Sequence, residues 1–202
     1  MSSSTIAAAF GWSGIVVGLL PTYQQLRRAV KVSTHGIAID TWSIFTWINF
    51  YWIAYGLALH GVEVWIGAVV TLPLQIGVVL QLEPRKNMKR ILATGFLLFL
   101  TCWLPTFIWG WKIGVLGIGL VSIINRLPQI NECIRAKDVQ GVSVPAWLWG
   151  SACNGLWCMY FVFQHDTSGF VVNIIAVLLS LFIAYLAFRR QRQWAMEHPV
   201  TI

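Results

Sequence analysis

Seven stretches of mostly apolar residues, each close to the length a helix needs to cross a bilayer, take up most of this chain. They run approximately over residues 6–26, 41–59, 64–82, 91–109, 113–131, 145–163 and 169–188. Crossing the hydrocarbon core takes about 20 residues of helix or about 10 of tilted barrel strand. Inside lipid only helices and closed barrels satisfy the backbone. These runs are too long and continuous for strands, so the expected fold class is all-α, a polytopic membrane protein with seven transmembrane helices. Composition closes the other routes. Hydrophobic residues make up 57% and charged residues 10%, whereas soluble domains are about a quarter charged. So small a core could not hide that apolar surface from water, and a disordered chain would carry far less of it.

The basic residues fix the expected orientation. Arg27, Arg28 and Lys31 follow the first run, Arg85, Lys86, Lys89 and Arg90 the third, Arg135 and Lys137 the fifth, and Arg189, Arg190 and Arg192 the seventh. Twelve of fourteen therefore fall on one side, leaving Lys112 on the other and Arg126 inside the fifth run. The positive-inside rule places the N-terminus outside and the C-terminus in the cytoplasm. The net charge of +7 thus reads as loop charge, with no nucleic-acid partner. Met1 to Thr5 lack a basic n-region, so no cleaved signal peptide is expected. Cys102, Cys133, Cys153 and Cys158 have no zinc-like spacing and read as small packing residues. His35, His60, His165 and His198 form no metal-ligand spacing and no nucleophile–base pair, so neither an enzyme nor a cofactor is expected.

The two halves resemble each other. Trp42, Asn49, Trp52 and Tyr55 recur as Trp147, Asn154, Trp157 and Tyr160, at a constant offset of 105 residues. Such self-similarity outranks local signals in setting the fold. A unit of three spans leaves the membrane opposite to where it enters. One extra span between two such units restores the orientation and makes the repeats parallel, an arrangement known in transporters. The expected organisation is 3+1+3: a first triple-helix bundle over 6–82, a linker helix over 91–109, a second bundle over 113–188 and a cytoplasmic tail over 189–202. A substrate path is expected near the midplane, in an uncharged cavity walled by indole and carboxamide groups.

With Leu127-Pro128-Gln129 in the second repeat, the degenerate Leu20-Pro21-Thr22-Tyr23-Gln24 in the first, and the endings Trp52-x-x-Tyr55-Gly56 and Trp157-x-x-Tyr160, the chain resembles SWEET-type sugar transporters of the PQ-loop superfamily. That resemblance, covering nearly the whole chain, implies facilitated, alternating-access movement of a small sugar. By position it implies that Trp52 and Trp157 are paired pocket tryptophans, that Ile48 and Cys153 line the pocket one turn earlier, and that Asn173 is a pocket amide. It also implies that Pro21, Pro128 and Pro145 are hinges, with Gln129 part of the gate. The sequence departs from the pattern at the span 2 hinge proline, where Asp40-Thr41 stands. It departs again near Ala68, which lacks the Asn partner of Asn173; Thr71 or Gln75 is the expected substitute.

The residues carry this reading by themselves only in part. Trp52 and Trp157 sit mid-span rather than in the interfacial belt; an indole face packs on a sugar ring and its N–H donates, but helix packing is the competing role. Asn49, Asn154 and Asn173 suit a hydroxyl-rich ligand or serve as interhelical glue. Pro21 and Pro128 read as hinges or helix-end residues, and Pro145 fits a helix first position. Asp40 is expected to be a helix N-cap, Arg126 to snorkel toward the cytoplasm with anion binding as the competing role, and Glu132 to pair with Arg135.

No Asp or Glu lies at the centre of a span, which argues for a uniporter over a proton-coupled carrier. The expected function is facilitated diffusion of a small sugar, the partners being that sugar, membrane lipid and possible further copies of the chain, in the plasma membrane. The alternatives are a PQ-loop carrier of another small solute such as an amino acid, or a seven-helix receptor for cargo.

Overall fold

The computed structural model describes residues 3–165 and 167–198. All regular structure among them is helical. The helices are α1 (Ser3–Lys31), α2 (Ile39–Ala58), α3 (Val62–Gln81), α4 (Met88–Leu98), α5 (Leu104–Trp109), α6 (Trp111–Ile124), α7 (Leu127–Arg135), α8 (Val144–Phe163) and α9 (Thr167–Glu197). A single π turn, Phe99–Trp103, joins α4 to α5. It sits just before Pro105, whose missing N–H leaves a carbonyl of the preceding turn free. Seven membrane spans result, with α4–α5 and α6–α7 each forming one. Five of them are long and apolar enough to cross a bilayer by composition alone. The other two, α2 and α8, are 20 residues long, about 30 Å of helix, but their Trp, Tyr, Ser, Thr and Asn content lowers their hydropathy. The molecule is thus an integral membrane protein with multiple spans.

Two ends lie beyond the expected runs. The first helix continues to Lys31, and the last continues without interruption to Glu197, so residues 189–197 are helical. The expected span ending at residue 131 instead breaks at Asn125-Arg126 and resumes as α7.

The repeat is visible in the helix bounds. α8 begins and ends 105 residues after α2. The turns that follow them place His60 and His165 in the same left-handed conformation, each at φ 56°. In the first bundle α3 packs between α1 and α2; in the second, α9 packs against α8 and against α6 and α7. The bundles meet chiefly where α1 lies on α8. That seam is lined by small residues, the usual way helices approach closely in lipid. A Cβ on Gly14 would stand 3.0 Å from the Trp157 indole nitrogen, and one on Gly18 would stand 3.3 Å from Cys153 Sγ.

The linker span breaks the symmetry. Its α4 packs on α2, and its π turn and α5 pack on α6. Trp47 Nε1 donates to the Ile91 carbonyl (3.0 Å), and the Tyr51 and Thr106 hydroxyls are 2.7 Å apart. Ile48 and Tyr51 of α2, Leu98, Cys102, and Ile118 and Val121 of α6 fill the core between them. Phe107 on the outer side of this span is 70% exposed, as expected of a side chain that faces lipid.

Asp40 is not an N-cap. It lies inside the first turn of α2, whose cap position is Ala38. Its carboxylate accepts both Nε (3.0 Å) and Nη2 (2.5 Å) of Arg90, tying α2 to α4. Glu132 makes no ion pair with Arg135 among the described residues.

Candidate functional site

At the end of the molecule that holds the basic last turns of α1 and α7, the two repeats lock into each other through their glutamines. Gln25 Nε2 donates to the Gly141 carbonyl (2.8 Å), and its Oε1 accepts the Ser143 amide (3.0 Å). Gln129 Nε2 donates to the Gly36 carbonyl (2.7 Å), and its Oε1 accepts the Ala38 amide (3.0 Å). Each amide therefore spans the same two backbone groups in the opposite repeat, just ahead of α8 in one case and α2 in the other. Both glutamines are buried.

The two loops cross closely enough to require glycine. Gly36 has φ +77°, and a Cβ there would meet the Val139 Cα at 2.7 Å; a Cβ on Gly141 would meet the Ser33 carbonyl oxygen at 2.5 Å. The Gly141 amide donates to the His35 carbonyl (3.0 Å), Arg28 Nε to the Gln140 carbonyl (2.7 Å), and His35 Nδ1 lies 3.0 Å from Asp138.

The first-repeat partner of Gln129 is thus Gln25, one residue past the Gln24 of the motif as expected from sequence. The register between repeats shifts by one because α1 runs unbroken through Pro21, whereas α6 and α7 separate at Asn125-Arg126. Pro21 and Pro128 are consequently not equivalent. Pro21 lies inside a continuous helix, and Pro128 opens a new one, as Pro145 opens α8. The carbonyl of Asn125 at the break accepts the Thr41 hydroxyl of α2 (2.7 Å), the kind of side-chain rescue that makes a broken membrane helix tolerable.

A cavity of about 170 Å³ lies one turn beyond this lock, between the bundles. Pro21, Trp42, Phe45, Arg126, Trp147, Cys153 and Asn154 are among its walls. It has room for one small solute and is smaller than a drug-sized site. Trp42 and Trp147 are repeat equivalents on the first turns of α2 and α8. Both are buried, and both indole N–H groups lack an acceptor among the described residues.

Of the residues expected to bind substrate, Cys153 and Asn154 line this cavity. Cys153 Sγ also donates to the Gly14 carbonyl at 3.3 Å, and the Asn154 amide donates back to the Gly150 carbonyl of its own helix. Trp52 and Trp157 do not line it. They stand ten residues after Trp42 and Trp147, about 15 Å further along their helices. Trp157 packs on Gly14 and, edge-on, on Tyr160 (5.3 Å); Trp52 packs against Tyr51 and Tyr55. Ile48 is in the core against the linker span, Asn49 donates to Gln75 of α3 (2.7 Å), and Thr71 and Asn173 each bond a carbonyl of their own helix.

Arg126 is the main departure. It does not snorkel, being 5% exposed. It caps α7 at the break and reaches across to α9. Nε donates to Ser180 Oγ (3.3 Å), Nη1 to the Ser122 carbonyl and to Asn125 Oδ1, and the Phe45 ring centroid lies 5.8 Å from its Cζ. The expected uncharged cavity therefore has a guanidinium in its wall. In the sequence Arg126 offers anion binding only as a competing role, and the Trp42–Trp147 pair does not stand out as a site. The available signals are a cation inside an apolar run and a Trp pair held at the repeat offset.

Residues 115–193, from α6 into α9, match a protein-family model described as a sugar efflux transporter for intercellular exchange. No curated protein and no solved structure matches the chain. The second repeat is thus similar to a transporter family, and the first repeat, which departs more from the motif, lies outside the match.

Proposed function

We propose that this protein is a uniporter that moves a small sugar across the membrane by facilitated diffusion, the two bundles rocking about the inter-bundle cavity. The observation that carries this reading is the reciprocal bonding of Gln25 and Gln129, which shuts one end of a solute-sized cavity with few, symmetric and reversible contacts. Releasing them, together with the neighbouring Gly141–His35, Arg28–Gln140 and His35–Asp138 contacts, opens the basic end without breaking either bundle's core. Alternating access requires such a gate on the axis relating the repeats. The family match over the second repeat supports sugar as the solute class. With the basic end facing the cytoplasm by the positive-inside rule, in the plasma membrane, the lock is the inner gate. Pro128, at the break between α6 and α7, is the hinge best placed to let α7 swing, with Pro21 and Pro145 flanking the cavity and the gate.

The test is solute counterflow in proteoliposomes holding the purified full-length chain. Labelled monosaccharides equilibrate faster than in protein-free liposomes, and an imposed pH gradient leaves the rate unchanged. Saturable binding without flux refutes transport and favours a receptor.

A further inference from the structure

We infer that the cavity selects a small polyhydroxy solute bearing one carboxylate, a sugar acid, and that Arg126 is the residue that receives the carboxylate. This rests on the reading of the chain as a sugar carrier and narrows its substrate class.

Three features lead to it. First, Arg126 is a buried cation in a membrane protein with no carboxylate partner. The ion pairs among the described residues are His35–Asp138, Lys86–Glu83 and Arg90–Asp40. A charge inside a span is costly and is kept where it meets an opposite charge or a pathway. Its neighbours Ser180, Ser122 and Asn125 offer only neutral oxygens, and Nη2 donates to none of the described residues. Two of the five guanidinium N–H groups, both on Nη2, are therefore unclaimed on a residue in the cavity wall, and charge-assisted bonds from them suit a carboxylate oxygen.

Second, three of the four other buried groups without a partner among the described residues are N–H donors, the fourth being the Ser43 hydroxyl. The indole N–H groups of Trp42 and Trp147 and the Asn125 amide nitrogen are buried without an acceptor. Indole and guanidinium cannot accept, and an oxygen-rich anion supplies the acceptors that these N–H groups lack.

Third, the charge count discriminates between anions. Arg126 is the one charged residue among those lining the cavity. A monoanion neutralises it, whereas a phosphate monoester, with nearly two charges, would leave a buried excess. An amino acid would bring an ammonium, and no Asp or Glu lines the cavity to meet it.

D-glucuronate and D-glucose differ only at C6, carboxylate against hydroxymethyl, and serve as the probes. Full-length protein in proteoliposomes is expected to exchange labelled glucuronate roughly tenfold or more faster than glucose, the ratio a charge-assisted hydrogen bond supports. An interior-positive potential accelerates glucuronate uptake and leaves glucose unchanged. Arg126→Gln removes the preference, so that the ratio of glucuronate to glucose exchange falls roughly tenfold. Trp42→Phe and Trp147→Phe keep the rings, remove the N–H groups, and weaken glucuronate exchange more than glucose exchange.

The inference is overturned if wild-type protein moves glucose as fast as or faster than glucuronate, an outcome that leaves the sugar-carrier reading intact and needs no variant to fold. It is overturned equally if folded Arg126→Gln protein loses both fluxes in proportion, which makes Arg126 a structural tie to α9. Failure of both solutes to move refutes the carrier reading along with it.

Discussion

Replacing Gln25 by Leu keeps the bulk of a side chain that is 1% exposed and removes both of its bonds to the opposite repeat. The Gly141 carbonyl and the Ser143 amide are then orphaned as long as the basic end stays shut. A buried polar group left without a partner costs about 1–3 kcal/mol. Opening the end hydrates both groups, so the penalty falls on the closed state alone. Even about 2 kcal/mol in total shifts the closed–open ratio roughly 30-fold toward open.

Cys153 is a natural reporter, because it lines the cavity just beyond the lock while Cys102, Cys133 and Cys158 are buried. In a background with those three replaced by Ala, a membrane-impermeant thiol reagent is added from the basic side. Gln25→Leu is expected to raise the Cys153 labelling rate roughly 30-fold. Gln129→Leu should do the same by a comparable factor, since its bonds are equivalent. An unchanged rate in a folded, purifiable variant shows that the paired amides do not hold the gate, and the inner-gate reading fails with it.

Other expectations concern single contacts. Asn49→Ala breaks the bond from α2 to Gln75 of α3 and should lower unfolding free energy by about 0.6 kcal/mol and at most about 1.7, read by denaturant titration in detergent. Asn154→Ala loses only a bond within its own helix and should alter solute affinity more than stability. At the seam, Gly14→Val drives a side chain into Trp157 and is expected to cost about 1–3 kcal/mol by overpacking. Gly155→Ala, inside α8 with nothing within 4 Å of its Cβ, should raise stability by about 0.5–1 kcal/mol. Asp40→Asn releases Arg90. For a pair this exposed the loss is about 0.2–1 kcal/mol, and flux by the variant at the wild-type rate is expected, since a carboxylate that carried a required proton could not be removed without loss of transport.

Span number, the parallel duplication and the clustering of basic residues at one end are legible without coordinates, because each is a property of chain order. Hydrophobic length, a 105-residue offset and alternating loop charge survive any detail of packing. Even the paired left-handed turns at His60 and His165 follow the same offset. The pocket was less legible. Trp52 and Trp157 satisfied the motif, yet Trp42 and Trp147 line the cavity, since the depth of a void depends on where the helices diverge. Only the break at Asn125-Arg126 decided that Arg126 turns inward to Ser180 instead of reaching for water, and that Gln25 rather than Gln24 mirrors Gln129. A helix's direction and span can be read from its own residues. Which side chain meets which across a gap depends on small shifts of register in both partners, and those are set by the packing of the whole bundle.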